Sequence, residues 1–277
     1  MILSEKEIRD FETYLFRNEK EAGTIRTYLT VVRQFVRFLD GRELERDLVI
    51  DYKAKIISEN APSTVNSKIG PVNIFLRFLQ HPEMCIKRLR IQRQMYCPDE
   101  KQLSYDEYLK LIQVSEQQGN YRMSLALQIL GSTGIRIGEL KYITLEAAKI
   151  GRCVVRNKGK TRIVLLPDAL RGKIILYAKS RGITSGPVIR TSSGKPVDRI
   201  NMWRYMNRIC LDAGIDPEKG HPHALRHLFA VTHYRTYKDP IGLANLLGHS
   251  DINTTRIYTT TDGKAQMEQL NNMNLVT

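Results

Sequence analysis

Apolar residues recur three to four positions apart along most of this 277-residue chain, and that spacing predicts amphipathic helices. Ile8, Phe11 and Leu15 begin the pattern. It changes type over residues 153–166, which are typical of two short β-strands around a polar turn that contains glycine. Helices that each bury one face, with a single hairpin among them, predict a mainly α fold with a small β-sheet, of the α+β class.

The periodicity divides the chain into two regions. Four helices are predicted before residue 82, the second with Thr24 as its N-cap, and together they predict a small helical bundle over residues 1–81. Residues 82–103 break the pattern and are rich in Lys and Arg, which indicates a basic interdomain linker. A second domain, with a C-terminal tail, is predicted over residues 104–277.

Within the second domain, Ser104 and Glu107 have the spacing of a helix-capping box. A short strand is predicted at residues 188–190. Further helices are predicted near residues 104–118, 121–132, 137–143, 167–181, 198–213, 222–236, 239–247 and 252–259.

The chain is strongly basic, with 43 Lys and Arg against 29 Asp and Glu, a net charge of +14 and a pI near 9.7. The excess lies on both sides of Arg93, so no single tail accounts for it. A protein this basic with ordinary apolar content is expected to bind a polyanion, and nucleic acid is the expected one. The candidate DNA contacts are Arg26, Arg33, Arg37, Lys87, Arg88, Arg90, Lys160 and Arg162.

Several classes are disfavoured. No apolar run approaches the roughly 20 residues of a membrane span, and the charged start carries no secretory signal. Four widely spaced cysteines without a CxxC pair disfavour a disulfide framework and favour a reducing cytosol. No P-loop and no carboxylate cluster for two-metal catalysis are present, so no cofactor is expected.

Residues 221–227 contain three histidines and are the candidate for a metal site. His221, His223 and His227 have ligand-like spacing. However, the glutamate of an HExxH motif is missing, and Arg226 would oppose a cation. We therefore expect no metal here.

Four short segments carry residues suited to chemistry on phosphate. They are TGIRIGEL at 133–140, KGKTR at 158–162, HPHALRH at 221–227, and LLGHS at 246–250, which Tyr258 follows. Each segment alone is common. Two arginines, a lysine, two histidines and a tyrosine together could bind a phosphodiester, protonate its leaving oxygen and attack its phosphorus.

In this order and spacing, the segments resemble the catalytic domain of the tyrosine recombinases, the phage-integrase and Xer-type family. Residues 24–39 and 63–79 resemble that family's core-binding domain. The resemblance implies a site-specific recombinase that cuts and rejoins DNA through a covalent 3′-phosphotyrosyl intermediate and a Holliday junction. The outcome could be integration, excision, inversion or resolution.

The resemblance also implies partners. Its substrates would be double-stranded recombination sites, and its working form a homotetramer on DNA. A second recombinase or an accessory DNA-bending protein stays open, and no membrane is implicated. Two alternatives are a non-catalytic DNA-binding relative and a type IB topoisomerase-like enzyme.

By the same resemblance, six residues form the catalytic set: Arg136, Lys158, His223, Arg226, His249 and Tyr258. Tyr258 is the expected nucleophile and Lys158 the expected general acid. Many relatives have two residues between the hairpin lysines, whereas only Gly159 separates Lys158 from Lys160 here. Lys160 therefore remains an alternative catalytic lysine. Glu139 matches a family acid at a helix end, which is expected either to orient Arg136 or to cap the local structure.

Overall fold

The computed structural model describes residues 1–91, 102–157, 160–191, 193–248, 255 and 271–273, with only the backbone at 157 and 160. The chain divides into two compact units, Met1–Arg93 and Gln94–Thr277. Helices dominate the described residues, and their one sheet has two strands, which confirms the mainly α, α+β prediction. Among these residues, no helix has the length and apolar character to cross a membrane.

The first unit packs four helices around an apolar core. They are α1 (Glu5–Arg17), α2 (Ala22–Leu39), α3 (Arg46–Glu59) and α4 (Pro62–Phe78). The core fully buries the rings of Phe11, Phe35 and Phe75. The rings of Phe11 and Phe75 pack edge to face, with their centroids 5.0 Å apart. The aromatic contact adds to the free energy gained by burying the rings.

The start of α2 differs from the sequence prediction. The helix begins at Ala22, with Glu21 in the N-cap position, so the prediction of Thr24 as N-cap is wrong. Thr24 already lies inside the first turn. The Ile25 N–H donates to the Glu21 carbonyl at 3.0 Å, so a helical hydrogen bond already spans Thr24.

Residues 82–91, predicted to begin the linker, pack on the first unit. After a 3-10 turn at Pro82–Met84 the chain runs extended, and two asparagines of α4 clamp it. The Asn73 amide donates to the Ile86 carbonyl (2.8 Å) and accepts from the Ile86 N–H (2.9 Å). Asn66 makes the same pair with Leu89, at 2.9 and 2.8 Å. Residues 92–101 lie outside the described part of the chain.

The second unit holds seven α-helices and the hairpin in its described residues. They are α5 (Tyr105–Gln117), α6 (Tyr121–Thr133), α7 (Leu145–Ile150), β1 (Arg152–Asn157), β2 (Lys160–Leu165), α8 (Asp168–Ser180), α9 (Arg199–Asp212), α10 (Pro222–Tyr237) and α11 (Pro240–Leu247). The capping box of Ser104 and Glu107 is present, as predicted.

Two local predictions need correction. The helix predicted near 137–143 is a 3-10 helix, Ile137–Tyr142. The strand predicted at 188–190 is wrong: only single bridges flank it, Thr144 with Pro187 and Arg190 with Pro196. Val188 and Ile189 are apolar because they are fully buried, and burial alone does not require a ladder of strand hydrogen bonds.

The hairpin turns one face toward the core. Cys153 and Val155 of β1 are buried together with Val164 of β2, whereas Val154 and Ile163 are exposed. Val155 pairs with Arg162 across the antiparallel ladder. Because side chains alternate along a strand, Arg162 shares the inward face with Val164.

Candidate active site

The turn after α6 presents Arg136. Gly134 ends α6 in the left-handed conformation (φ +62°), and a Cβ there would lie 2.5 Å from Cδ1 of Phe229. Only glycine fits both conditions. The chain then turns into the 3-10 helix, where Arg136 stands at the N-cap with 43 % of its side chain exposed.

Glu139, in that 3-10 helix, stabilises this turn by accepting hydrogen bonds from Arg136. Its carboxyl group is 2 % exposed, and its Oε2 accepts the backbone N–H of Arg136 at 2.8 Å. Nη1 of Arg136 donates to Oε1 at the longer distance of 3.3 Å. The carboxylate thus anchors the Arg136 backbone strongly and its guanidinium weakly.

Arg226 lies buried between two helix ends. It is on α10, 2 % exposed, and its Nη1 donates to the Gly134 carbonyl at 2.6 Å while its Nη2 donates to the Leu247 carbonyl at 2.8 Å. The last carbonyls of a helix lack intrahelical partners and carry its negative partial charge. The C-termini of α6 and α11 therefore stabilise this buried cation and fix the plane of its guanidinium.

His223 lies one turn before Arg226 on α10, with an exposed side chain. Partial desolvation lowers the pKa of His223, and the positive charges of Arg226, Arg136 and Arg199 lower it further, as a proton on His221 would. The ring is therefore neutral at neutral pH and can accept one hydrogen bond and donate another. Because the charges of Arg226 and Arg136 act on the pKa of His223, the three residues belong to one cationic site.

His221 caps the helix that carries these residues. Its Nδ1 accepts the N–H of Ala224 at 3.0 Å, and Pro222 follows in the first turn. Burial and the charge of Arg199 lower the pKa of His221, which keeps Nδ1 unprotonated for this role. Over the described residues, no group of three or more His, Cys, Asp or Glu side chains is arranged to hold a metal ion.

Arg162, predicted as a DNA contact, is drawn into the same site. Its side chain is 15 % exposed, its Nη2 donates to Oε2 of Glu139 at 2.8 Å, and its Nη1 donates to the Leu247 carbonyl at 3.2 Å. The Leu247 carbonyl therefore accepts from both Arg162 and Arg226. No sign of this role is visible in the sequence, because the residues that follow Arg162 in β2 are apolar on both faces.

Three predicted catalytic residues, Lys158, His249 and Tyr258, lie outside the described residues, as does the side chain of Lys160. Their roles stay predictions. The other predicted DNA contacts are exposed. Arg26, Arg33 and Arg37 lie on α2, where Nη2 of Arg33 is 3.5 Å from Oε1 of Glu5, and Lys87, Arg88 and Arg90 lie on the extended segment.

Comparison with known proteins gives the same assignment as the motifs. The model of the phage integrase family matches residues 101–264. Tyrosine recombinase XerA of Thermococcus kodakarensis is 27 % identical over 262 residues, which cover 91 % of this chain and 89 % of that protein.

Solved structures share the fold. XerH site-specific recombinase bound to difH substrate in a pre-cleavage complex is 18 % identical, with a TM-score of 0.71, over 91 % of this chain and 80 % of that one. A lambda integrase tetramer bound to a Holliday junction is 17 % identical, with a TM-score of 0.73, over 92 % and 76 % of the two chains.

The family match and these likenesses support a DNA-acting enzyme of site-specific recombination, and they do not favour the topoisomerase or the non-catalytic alternative. The chain belongs to the phage integrase family of tyrosine recombinases.

Proposed function

We propose that this recombinase cuts one DNA strand by attack of the Tyr258 hydroxyl on a phosphodiester. The attack forms a 3′-phosphotyrosyl bond and releases a 5′-hydroxyl. The covalent bond keeps the energy of the broken one, so a 5′-hydroxyl from a second duplex can reverse the reaction and join the strands without ATP. The observation that carries the proposal is the cationic cluster of Arg136, His223 and Arg226.

The two arginines suit the charge that develops on the phosphate. Arg226, clamped by the Gly134 and Leu247 carbonyls, is preorganised, so little reorganisation accompanies the reaction. Arg136 is exposed and only weakly held by Glu139, which lets its planar guanidinium meet a non-bridging oxygen. Together they would stabilise the negative transition state.

His223 suits proton transfer at the nucleophile. A free tyrosine has a pKa of about 10, so its hydroxyl needs a base or a cationic surrounding to react at neutral pH. The lowered pKa of His223 keeps it neutral and able to accept that proton. His249 would donate a hydrogen bond to the phosphate.

A lysine would protonate the leaving 5′-oxygen. Arginines nearby lower the pKa of a lysine and make it a better acid. Lys158 is our first choice and Lys160 the alternative. A substrate with sulfur as the bridging leaving atom separates them, because a thiolate needs no acid. The alanine variant of the true acid should regain cleavage on the sulfur substrate, and the other should show no such rescue.

For partners, we propose double-stranded recombination sites bound by four copies of the chain, by likeness to the lambda integrase tetramer on its junction. We propose the bacterial cytoplasm, with the nucleoid, as the location of the protein, because its proposed substrate lies there. A second recombinase or a DNA-bending protein stays an open addition.

The direct test is capture of the covalent adduct. A binding site is first selected from a pool of random-sequence duplexes with the wild-type protein, and a nick is then placed beside the scissile phosphate so that cleavage cannot be reversed. Wild type should form a protein–DNA adduct stable to denaturant, and Tyr258→Phe should form none. Tyr237→Phe is the matched control, because Tyr237 is exposed and should react normally. A wild-type protein that binds the site but never forms the adduct would refute the proposal.

A further inference from the structure

In the observed arrangement the Arg162 side chain is 15 % exposed and its guanidinium faces protein oxygens. Its Nη1 and Nη2 each donate to a protein oxygen, and its Nε is buried. Arg26 and Arg90, two other predicted DNA contacts, are instead exposed. The alternation of β2 explains the difference, since it turns the Arg162 side chain toward the core beside Val164.

The contacts of Arg162 join three parts of the second unit. The residue itself belongs to β2, the second strand of the hairpin. Its partners are Glu139, below Arg136, and the last carbonyl of α11, at Leu247. The chain continues from there to His249.

Close packing reinforces the link to α11. Gly248 ends that helix in the left-handed conformation (φ +65°), and a Cβ at this position would lie 2.6 Å from Cδ and 3.0 Å from Nη1 of Arg162. The backbone before His249 therefore rests directly on the aliphatic stem of Arg162.

The Glu139 carboxylate lies closer to the guanidinium of Arg162 than to that of Arg136. Arg162 donates to Oε2 at 2.8 Å, whereas the guanidinium of Arg136 approaches Oε1 at 3.3 Å. A buried carboxylate needs a cation near it, and the closer cation bears most of that task. The buried Arg162 occupies the carboxylate and leaves the exposed Arg136 free to turn toward substrate.

We propose that Arg162 is a positioning residue, which neutralises Glu139 so that Arg136 stays available for the scissile phosphate and which seats the α11 turn that leads to His249. The inference rests on the proposed function, because it assigns Arg136 to the phosphate. Without Arg162, the Glu139 carboxylate would draw Arg136 inward, and DNA would still bind but react slowly.

The test compares binding and chemistry on the selected, nicked duplex. For Arg162→Met we expect the single-turnover cleavage rate at saturating protein to fall about 100-fold, while the Kd for DNA changes less than about threefold. Arg162→Lys should retain more of the rate because it keeps the charge. Arg156→Met, on the exposed side of the same hairpin, is the matched control and should cleave at the wild-type rate.

A double variant isolates the charge effect from simple damage to the fold. Glu139→Gln removes the carboxylate that would capture Arg136, so Arg162→Met with Glu139→Gln should cleave about tenfold faster than Arg162→Met alone. A purely structural defect would instead worsen with the second substitution. The wild-type rate confirms the proposed function independently of either result.

Two results would overturn the inference while wild type remains active. One is a loss of DNA affinity in Arg162→Met, with a shallower salt dependence and an unchanged rate at saturation, which would make Arg162 a phosphate contact. The other is a failure of Glu139→Gln to restore any rate in the Arg162→Met protein. If Arg162→Met does not fold, Arg162→Gln, which removes the charge but keeps a polar side chain, is measured with and without Glu139→Gln and decides the same question.

Discussion

The two units of this recombinase differ in the polarity of their buried side chains. In the described residues, the buried side chains of the first unit are apolar apart from the Tyr52 hydroxyl, with Phe11, Phe35 and Phe75 at the centre. The second unit buries Glu139 and Arg226, together with several hydroxyl side chains. Burial of charge is costly unless every charge is matched, so it is expected where chemistry needs it.

Stability and the proposed chemistry depend on the same residues in the second unit and on different residues in the first. The first unit keeps its basic residues on the surface, where they can meet a duplex without disturbing the core. The second unit places a guanidinium against two helix ends, so a change there affects folding and chemistry together. Three experiments test this contrast.

The largest effect is expected from Arg226→Met. The substitution leaves the Gly134 and Leu247 carbonyls without their buried donor and removes one cation from the phosphate site. We expect a cleavage rate about 1,000-fold lower and a loss of about 3 kcal/mol in the free energy of unfolding. Single-turnover cleavage and denaturant unfolding measure the two quantities.

Phe75→Ala in the first unit is the control for that variant. It should lower the free energy of unfolding by a comparable amount, about 3–5 kcal/mol, because removal of a fully buried ring leaves a cavity. At a temperature where both variants are folded, its cleavage rate at saturating DNA should stay near that of wild type. A rate as low as that of Arg226→Met would break the contrast between the units.

A smaller effect is expected from a pair of glycine substitutions. Gly248→Ala places a Cβ against Arg162, whereas Gly41→Ala, after α2, meets no atom within 4 Å at a similar positive φ. Backbone strain should cost each variant about 1 kcal/mol, and the clash should add about as much again at Gly248. Thermal unfolding and cleavage measured together should show slower cleavage only for Gly248→Ala. Equal behaviour of the two would mean that the α11 turn is not coupled to the site.

The smallest effect concerns pH. Because desolvation and neighbouring cations lower the pKa of His223, it stays neutral down to a pH below the ordinary histidine value of about 6.5. Cleavage that needs neutral His223 should persist above that lowered pKa and be lost as the pH falls through it. The acid limb of the pH–rate profile should therefore lie below pH 6.5.

Arg199→Met provides the matched perturbation for the pH profile. It removes one of the positive charges that lower the pKa of His223, so the acid limb should move upward. Arg204→Met, a charge change on the same helix, should leave the limb in place. A limb above pH 6.5 in wild type would argue against His223 as the base.

Much of the fold could be predicted from the sequence because helix periodicity and capping are local. The capping box at Ser104 and the hairpin at 153–166 both follow from residues a few positions apart. The packing of residues 82–91 could not be predicted. It depends on two asparagines of α4, which in sequence are ordinary polar residues on a helix.

The candidate site shows the same limit. The motifs predicted Arg136, His223, Arg226 and the role of Glu139, and the structure brings these four residues together. The motifs did not predict that Arg162 belongs with them. In the run Arg162-Ile-Val-Leu-Leu both faces of the strand are apolar, so alternation gives no sign of which face is buried.

The residue types available to a phosphate, and their order along the chain, can be read from the motifs alone, since those motifs are short and continuous. The role of each cation depends instead on long-range contacts that form when the chain folds. The acceptors of Arg226 lie 92 and 21 residues away along the chain, and Arg162 reaches a carbonyl 85 residues away. A guanidinium becomes a buried anchor or a surface contact according to which oxygens folding brings within about 3 Å of it, and no local pattern encodes that distance.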